Sequence, residues 1–80
     1  MTKAKQGILA YWMQYEGNPW WENLKTHTKE MYGCSIYALF RKAKTNVMVN
    51  FTHWFKEQNS ISVLEDVYDF VDYLGEGGQE

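Results

Sequence analysis

Residues 35–55, SIYALFRKAKTNVMVNFTHWF, admit two readings, and the choice between them decides whether the chain is all-α or α+β. As a hairpin, Ile36, Ala38 and Phe40 alternate with Ser35, Tyr37 and Leu39, and Val47, Val49, Phe51, His53 and Phe55 alternate with Met48, Asn50, Thr52 and Trp54. That is the two-residue period of half-buried strands. As helices, Ser35 caps a short one in which Ile36, Leu39, Phe40 and Ala43 share a face, and Arg41, Lys42 and Lys44 sit near its negative C-terminal end. Thr45-Asn46 then opens another, with Val47, Met48, Phe51, Trp54 and Phe55 inward and Asn50, His53 and Glu57 outward. β-Branched and aromatic residues favour strands. The helical reading nevertheless misplaces only Val49 and explains Phe55 to Asn59 as an ordinary helix end. Helices are adopted, with a hairpin at about 35–55 packed on helices as the alternative. Val49 and His53 discriminate, since a helix exposes both and a strand buries both.

Downstream, residues 62–75, SVLEDVYDFVDYLG, carry agreeing helix signals. Ser62 and Glu65 form a capping box, in which each side chain satisfies a backbone N–H that the first turn leaves open. Val63, Val67, Phe70, Val71 and Leu74 recur at helical spacing, and Gly75 suits the left-handed conformation that ends a helix. The opposite face holds Glu65, Asp69 and Asp72, with Asp66 at its edge and Tyr73 nearby. The remainder, 75–80 (GEGGQE), reads as a disordered, acidic, Gly-rich tail.

Upstream, residues 3–16 form a helix with Ile8, Tyr11, Trp12 and Tyr15 on one stripe. Gly17 ends it, Asn18 caps the next, and Pro19 takes the first helical position. In the helix from Pro19 to Tyr32, Trp20 aligns with Leu24, His27 and Met31 and is assigned to the core. Trp21 aligns with Thr28, Tyr32 and the stem of Lys25, and is assigned to the boundary. Gly33 stops the helix. The sum is an all-α, single-domain bundle of four to five short helices over residues 1–74.

An 80-residue chain buries only about 60% of the surface it exposes when unfolded. Fourteen Phe, Trp and Tyr residues compensate, each covering about 150–250 Å² with few rotatable bonds. The lone Cys34 excludes an internal disulfide and fits a reducing, cytoplasmic setting, where a structural buried thiol is its simplest role. The longest apolar run, Ile8 to Met13, is too short to span a bilayer, and the start MTKAKQG leads to no small-residue cleavage site. Charge is divided: residues 1–44 hold seven Lys/Arg against three Glu, while residues 45–80 hold one Lys against seven Asp/Glu. Such asymmetry governs partner choice and association rate.

No H-E-x-x-H, paired C-x-x-C, G-x-S-x-G or phosphate-cradling loop is present, and Ser35, Ser60 and Ser62 are accounted for by caps and turns. No enzyme, cofactor or metal is expected. His27-x-x-Glu30 is the one ligand-like pair on a helix, and a hydrogen-bonded core histidine explains His27 better. Two binding readings remain. The first is a protein-binding module that meets a basic partner through Glu65, Asp66, Asp69, Asp72 and Tyr73, with Trp21 and Tyr37 as further anchors. Small aromatic-rich domains without catalytic chemistry often serve as regulators or inhibitors, phage-encoded ones included. The second is a helix-turn-helix-like unit built from residues 22–44 and showing Tyr37, Ala38, Arg41, Lys42 and Lys44 to nucleic acid. Thr28 and Lys29 stand against it, occupying positions where that unit packs small or apolar residues.

Overall fold

The computed structural model describes residues 2–58 and 63–78, and every regular element among them is helical. Thr2 accepts a hydrogen bond from the Lys5 N–H (3.1 Å) and opens α1, Lys3–Met13. After a turn closed by Gly17 at φ 88°, Asn18 accepts from the Trp20 N–H (3.3 Å) and Pro19 begins α2, Pro19–Tyr32. Gly33 ends that helix in the left-handed conformation, φ 71°. Ser35 Oγ accepts from the Ala38 N–H (3.1 Å) to start α3, Ile36–Lys42, and α4 follows as Thr45–Glu57. The contested stretch is therefore two helices. His53 is exposed and Val49 half-buried, packed against the core rim.

The last helix, α5, runs Leu64–Tyr73 and passes into a π-helical turn, Leu74–Gly78. Ser62 of the expected capping box lies outside the described residues. Gly75 does not end the helix, because the positive φ falls two residues later, at Gly77 (110°). Gly75 matters for a different reason. An alanine Cβ there would lie 2.6 Å from the Tyr32 ring, so the turn sits against that ring only because no side chain intervenes. Of the tail expected to be disordered, residues 75–78 form this turn, and 79–80 lie outside the described residues.

The helices meet at Trp12, which is fully buried. Its ring contacts Trp21 from α2 (5.5 Å, 15° between planes), Phe40 from α3 (5.7 Å), and Phe51 and Phe55 from α4 (5.9 and 4.8 Å). Leu24, Ile36, Met48, Val67, Val71 and Leu74 complete a core contributed by all five helices and the π turn. The Cα radius of gyration, 11.8 Å, matches the roughly 11.6 Å that simple scaling gives a globule of this length.

Two core assignments change. Trp21 is wholly buried and Trp20 half-buried, the reverse of the expectation. The buried stripe of α2 is Trp21, Leu24 and Thr28, one position away from the one that hydrophobicity alone draws, and Met31 is 61% exposed. Thr28 tolerates burial because its hydroxyl donates to the Leu24 carbonyl one turn back (2.9 Å). In α4, Thr52 takes the inward place expected of Trp54, which is 36% exposed. The Thr52 Oγ1 accepts the Trp12 Nε1–H at 3.0 Å, pairing two polar groups that burial would otherwise leave unsatisfied.

Lys5, a charged residue of α1, is 4% exposed. Its Nζ donates to the carbonyls of Phe40 (2.9 Å), Arg41 (3.1 Å) and Ala43 (2.5 Å). These are acceptors that the end of α3 cannot satisfy within the helix, and the negative end of the helix dipole falls there too. Burial pulls the amine below its ordinary lysine range, while three donated hydrogen bonds employ all three protons. Cys34, expected to be buried, is half-buried between α2 and α3.

Replacing Lys5→Met leaves three carbonyls without a donor and should lower unfolding free energy by about 2–3 kcal/mol in a urea titration. Thr52→Val orphans the Trp12 N–H and should cost about 1–3 kcal/mol, whereas Thr52→Ser, which retains the acceptor, should cost well under half as much. Equal losses for Val and Ser would show that the hydroxyl contributes nothing.

Candidate interaction surface

Among the described residues no three His, Cys, Asp or Glu side chains converge as a metal site. Nor is any helix long and apolar enough to cross a membrane. Interest therefore falls on the surface, where the polar side chains divide into those engaged within the fold and those left facing solvent.

Asp72 belongs to the first group. Its Oδ1 is hydrogen-bonded to His27 Nε2 and accepts from the Tyr32 hydroxyl, both at 2.8 Å. This docks α5 onto α2. Burial pushes the Asp72 carboxyl up, but the hydrogen bonds from His27 and Tyr32 outweigh it and hold the group below the usual carboxylate range. Tyr32 is raised to about 12, by burial first and then by its hydrogen bond to Asp72 and the charge of that carboxylate. His27 also meets the Tyr68 ring edge-on at 5.2 Å. The histidine is thus a structural partner, and Glu30 of the ligand-like pair lies exposed and apart from this bond.

Trp21 and Tyr37 are likewise engaged. Trp21 Nε1 donates to the Tyr37 hydroxyl (3.1 Å), which donates onward to Glu16 Oε1 (2.9 Å). Glu16 pairs with Lys25, and Lys25 pairs with Glu22 (3.1 Å), whose carboxylate also accepts the Gly17 N–H (3.0 Å). This chain of bonds ties the α1–α2 turn to α3. It removes both aromatic residues from the list of free anchors, and removes Tyr37 from any nucleic-acid readout face.

Free carboxylates remain on α5. Glu65, Asp66 and Asp69 are exposed, and among the described residues none of them forms an ion pair. Tyr73 is 54% exposed, and the backbone at Gly78 lies directly against its ring, where any side chain at 78 would collide. Of the lysines that could neutralise this face, Lys5 is inside the fold and Lys25 belongs to Glu16 and Glu22, while Lys3 is exposed and forms no ion pair among the described residues. Arg41, Lys42 and Lys44 are exposed at the end of α3 and also without carboxylate partners among the described residues.

One surface feature escaped the sequence reading. Phe51 of α4 and Phe70 of α5 stack with centroids 3.8 Å apart and planes 9° from parallel. Trp54 continues the stack on one side (5.7 Å, 30° from Phe51), and Tyr73 lies beyond Phe70 with its ring tilted by 31° at 6.4 Å. The row starts at the core, where Trp12 lies 14° from parallel with Phe51, and emerges at the surface. The signal was present in the spacing of Phe51 with Trp54 and of Phe70 with Tyr73, but nothing local shows that two helices bring these pairs together.

No known protein family, curated protein or solved structure matches the chain.

Because the native pKa of Asp72 lies below its unfolded value of about 3.9, its contribution is complete above that pH and lost as pH falls through the native pKa. Asp72→Asn should therefore be less stable than the natural protein at neutral pH, with the gap closing as the medium is acidified below about pH 4. Urea titrations at a series of pH values measure the gap. A constant difference would mean that the carboxylate charge is irrelevant to the docking.

Proposed function

We propose that this protein is a non-enzymatic protein-binding module, a regulator or inhibitor of the small phage-encoded kind, that occupies the basic surface of another protein with the acidic face of α5. The residues assigned to the contact are Glu65, Asp66, Asp69 and Tyr73. Asp72, Trp21 and Tyr37 leave the original set, since each is committed to a partner inside the fold.

The observation that carries this reading is the unneutralised state of the face. Asp69 has like charges at i−4 (Glu65), i−3 (Asp66) and i+3 (Asp72), and each such pair destabilises a helix by about 0.2–0.5 kcal/mol. Glu65 and Asp66 in the first turn gain from the helix dipole. Asp69, beyond that turn, has no such compensation. A basic partner relieves this repulsion, so the arrangement costs the free protein stability that the bound protein regains.

The nucleic-acid reading keeps one supporting observation, the free Arg41, Lys42 and Lys44, and the burial of Thr28 answers the objection once raised by that residue. It is the weaker reading because α3 has only seven residues and Tyr37 is bonded elsewhere.

Asp69→Asn separates the two. It should stabilise the isolated protein by about 1 kcal/mol, the sum of three relieved pairs, while reducing recovery of partners in pull-downs from host extract. A variant that is no more stable and recovers the same partners equally well excludes the acidic face. Retention on duplex or single-stranded probes at low salt, weakened by Arg41→Ala, would favour the nucleic-acid reading instead.

A further inference from the structure

The aromatic row and the free carboxylates lie on the same side of α5. Asp66, Phe70 and Tyr73 follow one another at i, i+4 and i+7, and Glu65, Asp69 and Tyr73 at i, i+4 and i+8, so Tyr73 closes both rows. Phe70 carries the rows across to Phe51 and Trp54 on α4. The exposed members, Trp54 and Tyr73, present rings with no cation over them among the described residues. Lys56, the neighbouring cation on α4, sits over Tyr11 instead, 4.7 Å from its centroid.

We propose that this strip reads arginine: Trp54, Phe51, Phe70 and Tyr73, bordered by Asp66 and Asp69, form the docking surface for an arginine-bearing segment of the partner. The proposal rests on the acidic-face reading above and specifies the partner's chemistry. A guanidinium is planar and weakly hydrated, so it lies flat on an aromatic face while its edge donates two parallel hydrogen bonds to a carboxylate. A lysine ammonium is a compact, strongly hydrated point charge that uses the carboxylates but gains little from the rings. Rings and acids side by side on two rigid helices therefore discriminate between cations of equal charge. Nucleic acid, whose bases would also stack, is disfavoured here because Glu65, Asp66 and Asp69 repel phosphate. Tyr73 is held for the purpose, with the Gly78 backbone against its ring and over half of its surface left open.

The test uses an Arg-Gly repeat peptide and the Lys-Gly peptide of equal length, titrated calorimetrically into the full chain. The arginine peptide should bind about tenfold more tightly, the worth of two ring contacts. Trp54→Leu with Tyr73→Leu should bring the arginine peptide down to the level of the lysine peptide and leave the latter unchanged. Trp54→Phe with Tyr73→Phe, which keeps the rings, should retain the selectivity and guards against a folding artefact. Asp66→Asn with Asp69→Asn should weaken both peptides. Equal binding of the two peptides that still depends on the aspartates overturns arginine reading while leaving the acidic face as the site. Binding indifferent to the aspartates overturns both. Concentration-dependent dimerisation abolished by Trp54→Leu, or an oligothymidylate bound through the same rings, would also overturn the proposal by giving the strip a different occupant.

Discussion

A single indole holds the architecture together. Trp12 is the point at which α1, α2, α3 and α4 touch one another's aromatic rings, and its N–H is spent on Thr52. None of these helices exceeds 14 residues, a length at which an isolated helix is marginal in water. Their stability is therefore collective, and it comes from the apolar area that each buries against a shared centre. Lys5 adds a polar counterpart about two turns away on the same helix. By taking the carbonyls at the end of α3, it allows that seven-residue helix to stop against α1 with its terminal acceptors satisfied.

The features legible in advance were those whose causes are local. Asn18-Pro19, Gly33 and Ser35 mark helix ends through bonds to residues within four positions, and all three stand where the chain was expected to break. The choice of helices over a hairpin rested on periodicity, with Val49 the one misplaced residue, and on the helix-end pattern from Phe55 to Asn59, again short-range information. The order of Trp20 and Trp21 was not legible in the same way. A one-position rotation of α2 depends on what lies opposite, and counting Thr28 as polar hid the fact that its hydroxyl needs only its own helix. Lys5 and Thr52 were missed for a related reason, since each is a polar residue whose partner is 35 to 40 positions distant.

The same distinction sorts the candidate site. Asp72 looked equivalent to Asp69 on a helical wheel, yet it pairs across 45 positions with His27, while Asp69 faces solvent. Tyr37 looked like surplus aromatic surface and turned out to be a relay between Trp21 and Glu16. What survives as surface is narrower than composition suggested, and more specific. Cations in the amino-terminal half are partly consumed by the fold, at Lys5 and Lys25, whereas the carboxylates of α5 are largely not. The imbalance counted along the chain thus persists at the surface, where the exposed carboxylates of α5 supply the field a cationic partner meets during approach.

The stacking of Trp12 on Trp21 has an optical side. Two indoles 5.5 Å apart and 15° from parallel lie close enough for their electronic transitions to mix, so that light is absorbed by the pair rather than by either ring. Mixed transitions in a chiral setting give paired dichroic bands of opposite sign, superimposed on the helical spectrum of the backbone. Such bands depend on the separation and mutual tilt of the rings, quantities that a repacked core alters even where the helices stay intact. The protein therefore carries a built-in spectroscopic gauge of its own packing, located at the centre on which its helices converge, and readable without a label.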